Sequence, residues 1–282
     1  MDKVEIEKEL IRLALAEDIG AGDITTAALK LDGRRGKAVV VAKAGGVISG
    51  TAQFAEVFQQ LSRSVKVKRF IRDGSAVASG DKVLGLSGSL NAILTGERTA
   101  MNILCHLSGI ATMTAAMVAE IRDLPVKILD TRKTMPGMRR WEKLAVSHGG
   151  ACNHRLGLFD MYLIKENHIA ATGGFREALE KVESHRRKTR AKIEIEVRNL
   201  DELGIALSYR VDYILLDNFS FAALKKAVSI ARGHKVILEA SGNVNKANVR
   251  KTALTGVDRI SIGRITHSAP ALDLSMKVVE RN

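Results

Sequence analysis

The 282 residues contain two cysteines, Cys105 and Cys152, which excludes a disulfide framework and a cysteine-rich zinc module. Long apolar runs are missing as well: no stretch approaches the ~18 consecutive apolar residues of a membrane span. The opening MDKVEIEKELIRLALAEDIG mixes charge with apolar residues throughout, unlike a secretory signal. The expected compartment is the cytoplasm, with no membrane partner. Aromatic residues make up 4% of the chain, few for a surface that stacks nucleobases. What is abundant is positive charge. Forty-four Lys and Arg against 31 Asp and Glu give +13, which suggests an anionic partner. The densest basic run, HRRKTRAK at 185–192, lies between a helical and a strand pattern, where cations suit the negative end of a helix dipole. The other cations recur singly at strand ends, a distribution that fits small anions rather than a nucleic-acid groove. The length suggests about two domains at ~150 residues each.

Apolar residues at Ile6, Leu10 and Leu13 predict a helix over 4–16, and Asp23 of DITT offers a cap for a second helical start. From 36 to 90 the texture is strand and turn, with one helical insert near 52–62. The stretch DGSAVASGDKVLGLSG has the turns of a swinging-arm domain but displays no lysine at a hairpin tip. Residues 91–122 read as long helical material. From 126 onward, strand candidates at 126–132, 161–167, 192–198, 213–219, 236–242 and 259–264 alternate with helical segments at 137–148, 174–187, 199–209, 220–231 and 244–255. That alternation predicts parallel β/α units. No GxGxxG follows the first of these strands, and GKAVV from Gly36 lacks P-loop spacing.

Polar residues decide between a barrel and an open sheet. Charge falls at the ends of consecutive strands, in Asp130-Thr131-Arg132-Lys133, Lys165, Glu194 and Glu196, Asp217-Asn218, and Glu239 and Ser241. In an α/β barrel those ends converge on one mouth; in an open sheet only strands beside a switch point need them. Arg132, Lys133, His154, Arg155 and Lys165 suit an anionic substrate, since a planar guanidinium donates two parallel bonds to a carboxylate. Glu196 and Asp217, on strands without a compensating cation beside them, suit Mg²⁺, a hard cation that prefers oxygen. The Gly242-Asn243 and Gly263-Arg264 pairs leave backbone N–H groups accessible for phosphate. Singly, His154 reads as a satisfied structural histidine, Glu194 as a partner of Lys192 or an outward residue, and Ser241-Gly242 as a turn. Jointly, on consecutive strand ends, they read as a site.

Seven segments carry a resemblance: EDIGAGDITT (17–26), GERTAMNILCHLSGIAT (96–112), DTRKTMPGMRRWEKLAV (130–146), NHRLGLFDMYLIKENH (153–168), ILLDNF (214–219), LEASGN (238–243) and DRISIGRITHSAPALDLS (258–275). The sequence resembles the quinolinate phosphoribosyltransferases, in order and over nearly its whole length. The resemblance implies an N-terminal α/β sandwich domain (1–110), an incomplete α/β barrel of the type II phosphoribosyltransferase kind (111–268), and a C-terminal segment (269–282) returning towards the first domain. It implies conversion of quinolinate and phosphoribosyl pyrophosphate to nicotinate mononucleotide, carbon dioxide and pyrophosphate in NAD biosynthesis, with Mg²⁺. By motif position, Thr131, Arg132, Lys133, His154, Arg155 and Lys165 would form the quinolinate pocket, with Arg139 adding to its positive surface. Arg98 would reach in from a neighbouring subunit of a homodimer, which can assemble further into a hexamer. Glu196 and Asp217 would face ribose and metal, and Ser241, Gly242, Gly263 and His267 the phosphate. Lys165 is the candidate for returning the proton to carbon 2. The sequence departs from the usual pattern at Glu166, where aspartate is common, and at His148-Gly-Gly-Ala151, where a glycine run is usual. A related branch associated with molybdate transport, with another acceptor, is the alternative; the full set of cations argues against it.

Overall fold

The computed structural model describes residues 3–281, which form two compact units. The first gathers the chain up to 113, residues 136–150, and the segment from 269 onward; the second gathers 114–135 and 151–268.

The first unit contains helices α1 (Lys3–Ile19), α2 (Ile24–Ala28), α3 (Thr51–Leu61), α4 (Leu90–Ala119) as far as Met113, and α5 (Arg139–His148). Its strands are β1 (Arg35–Ala42), β2 (Gly46–Val47), β3 (Lys66–Arg69), β4 (Ala76–Val77) and β5 (Lys82–Ser89), joined by β12 (Leu274–Arg281). In β1, RGKAVVVA, Ala38, Val40 and Ala42 alternate inward and are buried, the period-2 pattern of a sheet with one covered face. The four-stranded sheet has the order β12-β1-β5-β3, with β1 antiparallel to both neighbours. Gly88 at φ +149 passes so close to the Ser64–Val65 backbone that a Cβ there would collide with it. On α3, Phe54 and Phe58 are fully buried with ring centroids 5.1 Å apart. Asp23 caps α2, accepting from the backbone N of Thr26 at 2.9 Å.

α4 has the length and apolarity of a membrane span, but its apolar surface is used inside the protein. Ile93, Leu104, Leu107 and Ile110 are buried, Gly96 abuts Phe58 and Leu61 of α3, and Ser108 exchanges hydrogen bonds with the Ser49 backbone. One grouping differs from the sequence expectation. Residues 136–150, expected within the barrel domain, group with the first unit. The reason is polar: buried Glu142 pairs with His106 at 2.9 Å, Arg140 with Glu7 at 3.0 Å, and His148 Nδ1 with the Ser49 hydroxyl at 2.9 Å. The C-terminal segment forms a full strand of eight residues, β12, paired along β1.

The second unit carries β6 (Lys127–Leu129), β7 (Tyr162–Ile164), β8 (Ile193–Val197), β9 (Tyr213–Asp217), β10 (Ile237–Ser241) and β11 (Arg259–Ser261), with helices α6 (Glu166–Thr172), α7 (Phe175–Thr189), α8 (Leu200–Leu207), α9 (Phe221–Ala231), α10 (Val249–Ala253) and α11 (Arg264–His267) between or after them. All pairings are parallel, in the order β6-β11-β10-β9-β8-β7. The first strand pairs with the last while the rest follow in sequence, the order of a sheet curved round on itself. Leu129 also bridges Cys152 in parallel, so the seam lies between that segment and β7: an incomplete α/β barrel. Side-chain caps start the outer helices, with Asn199 on α8 and Ser220 on α9.

Candidate active site

Because the strands are parallel, the turns after β6, β7, β8, β9, β10 and β11 emerge at one end of the barrel. Asp130, directly after β6, is fully buried; its backbone N donates to the Cys152 carbonyl and its Oδ1 accepts from the His154 backbone N at 2.7 Å. This ties the DTRK turn to the NHR segment and sets Arg132 and Arg155 within electrostatic reach of each other. Arg155 is 9% exposed and donates one Nη1 hydrogen bond, to the Met161 carbonyl at 3.1 Å. Its pKa is depressed, first by burial and then by the charge of Arg132, with Asp160 and Glu194 opposing. The Nε atoms of both arginines are buried and have no hydrogen-bond partner among the described residues. Two neighbouring guanidiniums with unused buried donors are costly without an anion.

One layer lower the charges are balanced. His154 Nε2 lies 2.8 Å from Glu194 and 3.4 Å from Glu239, both fully buried. Arg259 Nη2 lies 2.8 Å from Glu239 and 3.5 Å from Glu194, and its guanidinium stacks on Tyr213 at 3.9 Å. Burial disfavours the charged imidazole, but the two glutamates outweigh it and raise the His154 pKa to about 9. Glu194 is pushed up by burial and by Glu239. Glu239, although burial raises it, ends below the usual range because His154 and Arg259 both bear on it. One histidine nitrogen and two carboxylate oxygens within 4.8 Å of one another are also a metal donor set. Arg259 already occupies the carboxylates, however, and a divalent cation would have to displace it against like charge; the cluster is a buried ion network.

Around the mouth, Lys165 Nζ stands 3.2 Å from Glu196 Oε2. Glu196 thus has a cation beside it, contrary to the sequence expectation; β7 and β8 are adjacent, which their separation of some thirty residues conceals. Asp217 accepts from Asn218 Nδ2 at 2.9 Å, and Asn218 N donates to the Ser241 carbonyl. The Thr131 hydroxyl accepts from Lys133 N, and Thr266 donates to the Lys133 carbonyl at 2.7 Å. The Lys133 side chain and the His267 ring flank Gly263, where a Cβ would lie 3.0 Å and 3.2 Å from them. The barrel therefore brings together Thr131, Arg132, Lys133, His154, Arg155, Lys165, Glu196, Asp217, Ser241, Gly242, Gly263 and His267. Arg98, exposed on α4, and Arg139, on α5, belong to the first unit.

The patterns of two family domains match most of the chain: "Quinolinate phosphoribosyl transferase, N-terminal domain" matches residues 23–108, and the C-terminal domain of the same description matches 110–277. The chain belongs to the quinolinate phosphoribosyl transferase family. A Synechocystis relative named "Probable nicotinate-nucleotide pyrophosphorylase (carboxylating)" is 44% identical over 267 residues, 94% of this chain and 90% of that protein. The chloroplastic nicotinate-nucleotide pyrophosphorylase of Arabidopsis thaliana is 39% identical, over 96% of this chain and 82% of its own length. Among solved structures, the nicotinate-nucleotide pyrophosphorylase from Francisella tularensis superposes with a TM-score of 0.92 at 41% identity, covering 99% of this chain and 98% of that one.

Within this family framework, Glu194 is the residue the sequence reading misplaced. It pairs with His154 and Arg259, while Lys192 donates to the Tyr213 hydroxyl instead. A signal was present: alternate strand residues share a face, so Glu194 must lie directly beneath Glu196. Arg259 was not expected in the site at all, and Asn218, named only as a strand-end residue, carried no role there. Arg259 opens its strand, and only the register Glu239↔Arg259 brings it to the cluster.

Proposed function

We propose that the protein transfers the phosphoribosyl group of phosphoribosyl pyrophosphate to the ring nitrogen of quinolinate, releasing pyrophosphate and carbon dioxide and forming nicotinate mononucleotide. The observation that carries the reading is the Arg132–Arg155 pair, two neighbouring guanidiniums with unbonded buried Nε donors, as a dicarboxylate requires. Lys133, Lys165 and, beneath them, His154 add to the positive field. Quinolinate docks with its carboxylates on these cations, which leaves its nitrogen towards the ribose.

Glu196 and Asp217 suit a hard divalent cation: both offer only oxygen, they stand at the ends of adjacent strands, and Asp217 pairs with no cation among the described residues. Glu194 and Glu239, by contrast, are consumed by His154 and Arg259. Mg²⁺ bound there would supply Lewis-acid stabilisation of the pyrophosphate leaving group. As the ribose–pyrophosphate bond breaks, the two carboxylates oppose the positive charge at the anomeric carbon, and the pyridine nitrogen donates its electron pair to that carbon. The nitrogen, now positive, accepts the electrons left at carbon 2 when carbon dioxide departs. Lys165, paired with Glu196, would deliver the proton that replaces it. Ser241, Gly242, Gly263, Lys133 and His267 receive the 5′-phosphate. The active unit is a homodimer in which Arg98 completes the partner's pocket.

Turnover decides the reading. Quinolinate labelled at its 2-carboxylate, with phosphoribosyl pyrophosphate and Mg²⁺, should release labelled carbon dioxide in step with pyrophosphate; release of neither would overturn it.

A further inference from the structure

Where β9 meets β10, one residue makes three links, two through its side chain and one through its backbone. Asn218 sits at φ +54, in the left-handed region that asparagine tolerates better than most residues. Its Nδ2 donates to Asp217 Oδ2 at 2.9 Å, its Oδ1 accepts from Asn243 Nδ2 at 3.3 Å, and its backbone N donates to the Ser241 carbonyl at 2.9 Å. The next residue on β10's side, Gly242, has φ +103, and a Cβ there would run into the Asn218 amide. Asn243, at φ +52, closes the turn and is held in turn by Asn248, whose Nδ2 donates to its carbonyl at 3.0 Å. Ser241 and Asp217 are register partners. Asn218 is thus bonded to the strand-end carboxylate on one side and to the Ser241–Asn243 turn on the other.

We propose that Asn218 is a positioning residue for the phosphoribosyl half of the reaction, fixing the Asp217 carboxylate and the Ser241-Gly242 turn relative to each other. The inference rests on the role given to Asp217 above. The backbone conformation alone does not call for asparagine, because glycine adopts φ +54 more readily. What glycine cannot supply is the amide that donates to one carboxylate and accepts from the facing turn. Only one Asp217 oxygen is used in this way, so the carboxylate is oriented and still able to bind. Residues behind a ligand set in this manner affect affinity or activity by roughly 10–100-fold when removed.

The test compares N218G, N218D, N243G and N218G/N243G with D217N and the wild type. Melting temperature, the Kd of each substrate alone by calorimetry, and KM and kcat for each are measured in full-length protein. N218G should melt like the wild type, bind quinolinate unchanged, and lose roughly 10–100-fold in kcat/KM for phosphoribosyl pyrophosphate. N218D keeps the acceptor for Asn243 but sets a second carboxylate against Asp217, so its loss should be larger. The double variant should lose no more than N218G, because both changes break one network. Wild-type kinetics in N218G would overturn the proposal and leave Asn218 a turn residue, as would an equal loss of quinolinate binding. If D217N itself turns over normally, the role of Asp217 fails and this inference with it; collapse of D217N beside a normal N218G sinks this inference alone.

Discussion

A guanidinium buried without an acceptor for its Nε, as in Arg155, is stable only because Met161 and the nearby acids share its charge. A bound carboxylate would complete its bonding, and removal of the arginine would leave that carboxylate buried and unpaired. Arg155→Ala should therefore weaken quinolinate binding by ~3–5 kcal/mol, roughly one hundred-fold to several thousand-fold, while the Kd of phosphoribosyl pyrophosphate alone stays put; calorimetry with each substrate reads both. Unchanged quinolinate affinity would remove Arg155 from the pocket. His154 gives a prediction of a different kind. Its folded pKa, about 9, lies above the ordinary histidine value because two glutamates oppose the effect of burial. A raised pKa means stability that is fully present below about pH 6.5 and is lost as pH climbs through 9, on the order of 3 kcal/mol in total. The melting temperature of the wild type, minus that of His154→Asn, should fall between pH 7 and pH 10. A flat difference would mean that the imidazole is neutral in the fold.

At the level of single elements, what could be read from the sequence followed periodicity. The six barrel strands and the helices α7, α8 and α9 have apolar patterns strong enough to locate them. α6 was passed over because it buries none of its seven residues; without an apolar stripe, ENHIAAT looks like the loop after a strand. α5 is legible as a helix but not as a member of the first unit, since an amphipathic helix announces a buried face and not the surface that covers it. The site divides the same way. Arg132, Lys165, Glu196 and Asp217 were legible because each lies within three residues of a strand's C-terminal end. The Glu194–Glu239–Arg259 network was not, because its members meet only through the lateral register of β8, β9, β10 and β11. The assignment of particular strand-end cations to the acceptor comes from the family resemblance and not from periodicity.

For the whole molecule, the decisive question is whether one chain suffices. Arg98 is exposed on α4 of the first unit, while Asp217 ends a barrel strand of the second. If the site is shared, mixing inactive Arg98→Ala with inactive Asp217→Asn and letting subunits exchange should restore part of the activity, since one pocket of each mixed dimer regains both groups. Failure to recover despite demonstrated heterodimers would confine each site to its own chain. A separate consequence follows from the pairing of β1 with β12. More than 200 residues separate the two strands, and ribosomes add ~5–20 residues per second. For roughly ten seconds or longer, therefore, AVVVA of the nascent chain presents an edge with no neighbour on one side, the kind of template on which other chains assemble. The entire barrel is synthesised during that interval. Expression of this protein should thus be sensitive to translation speed and to the chaperones that shield unpaired strands, and β12 is the strand that ends the exposure.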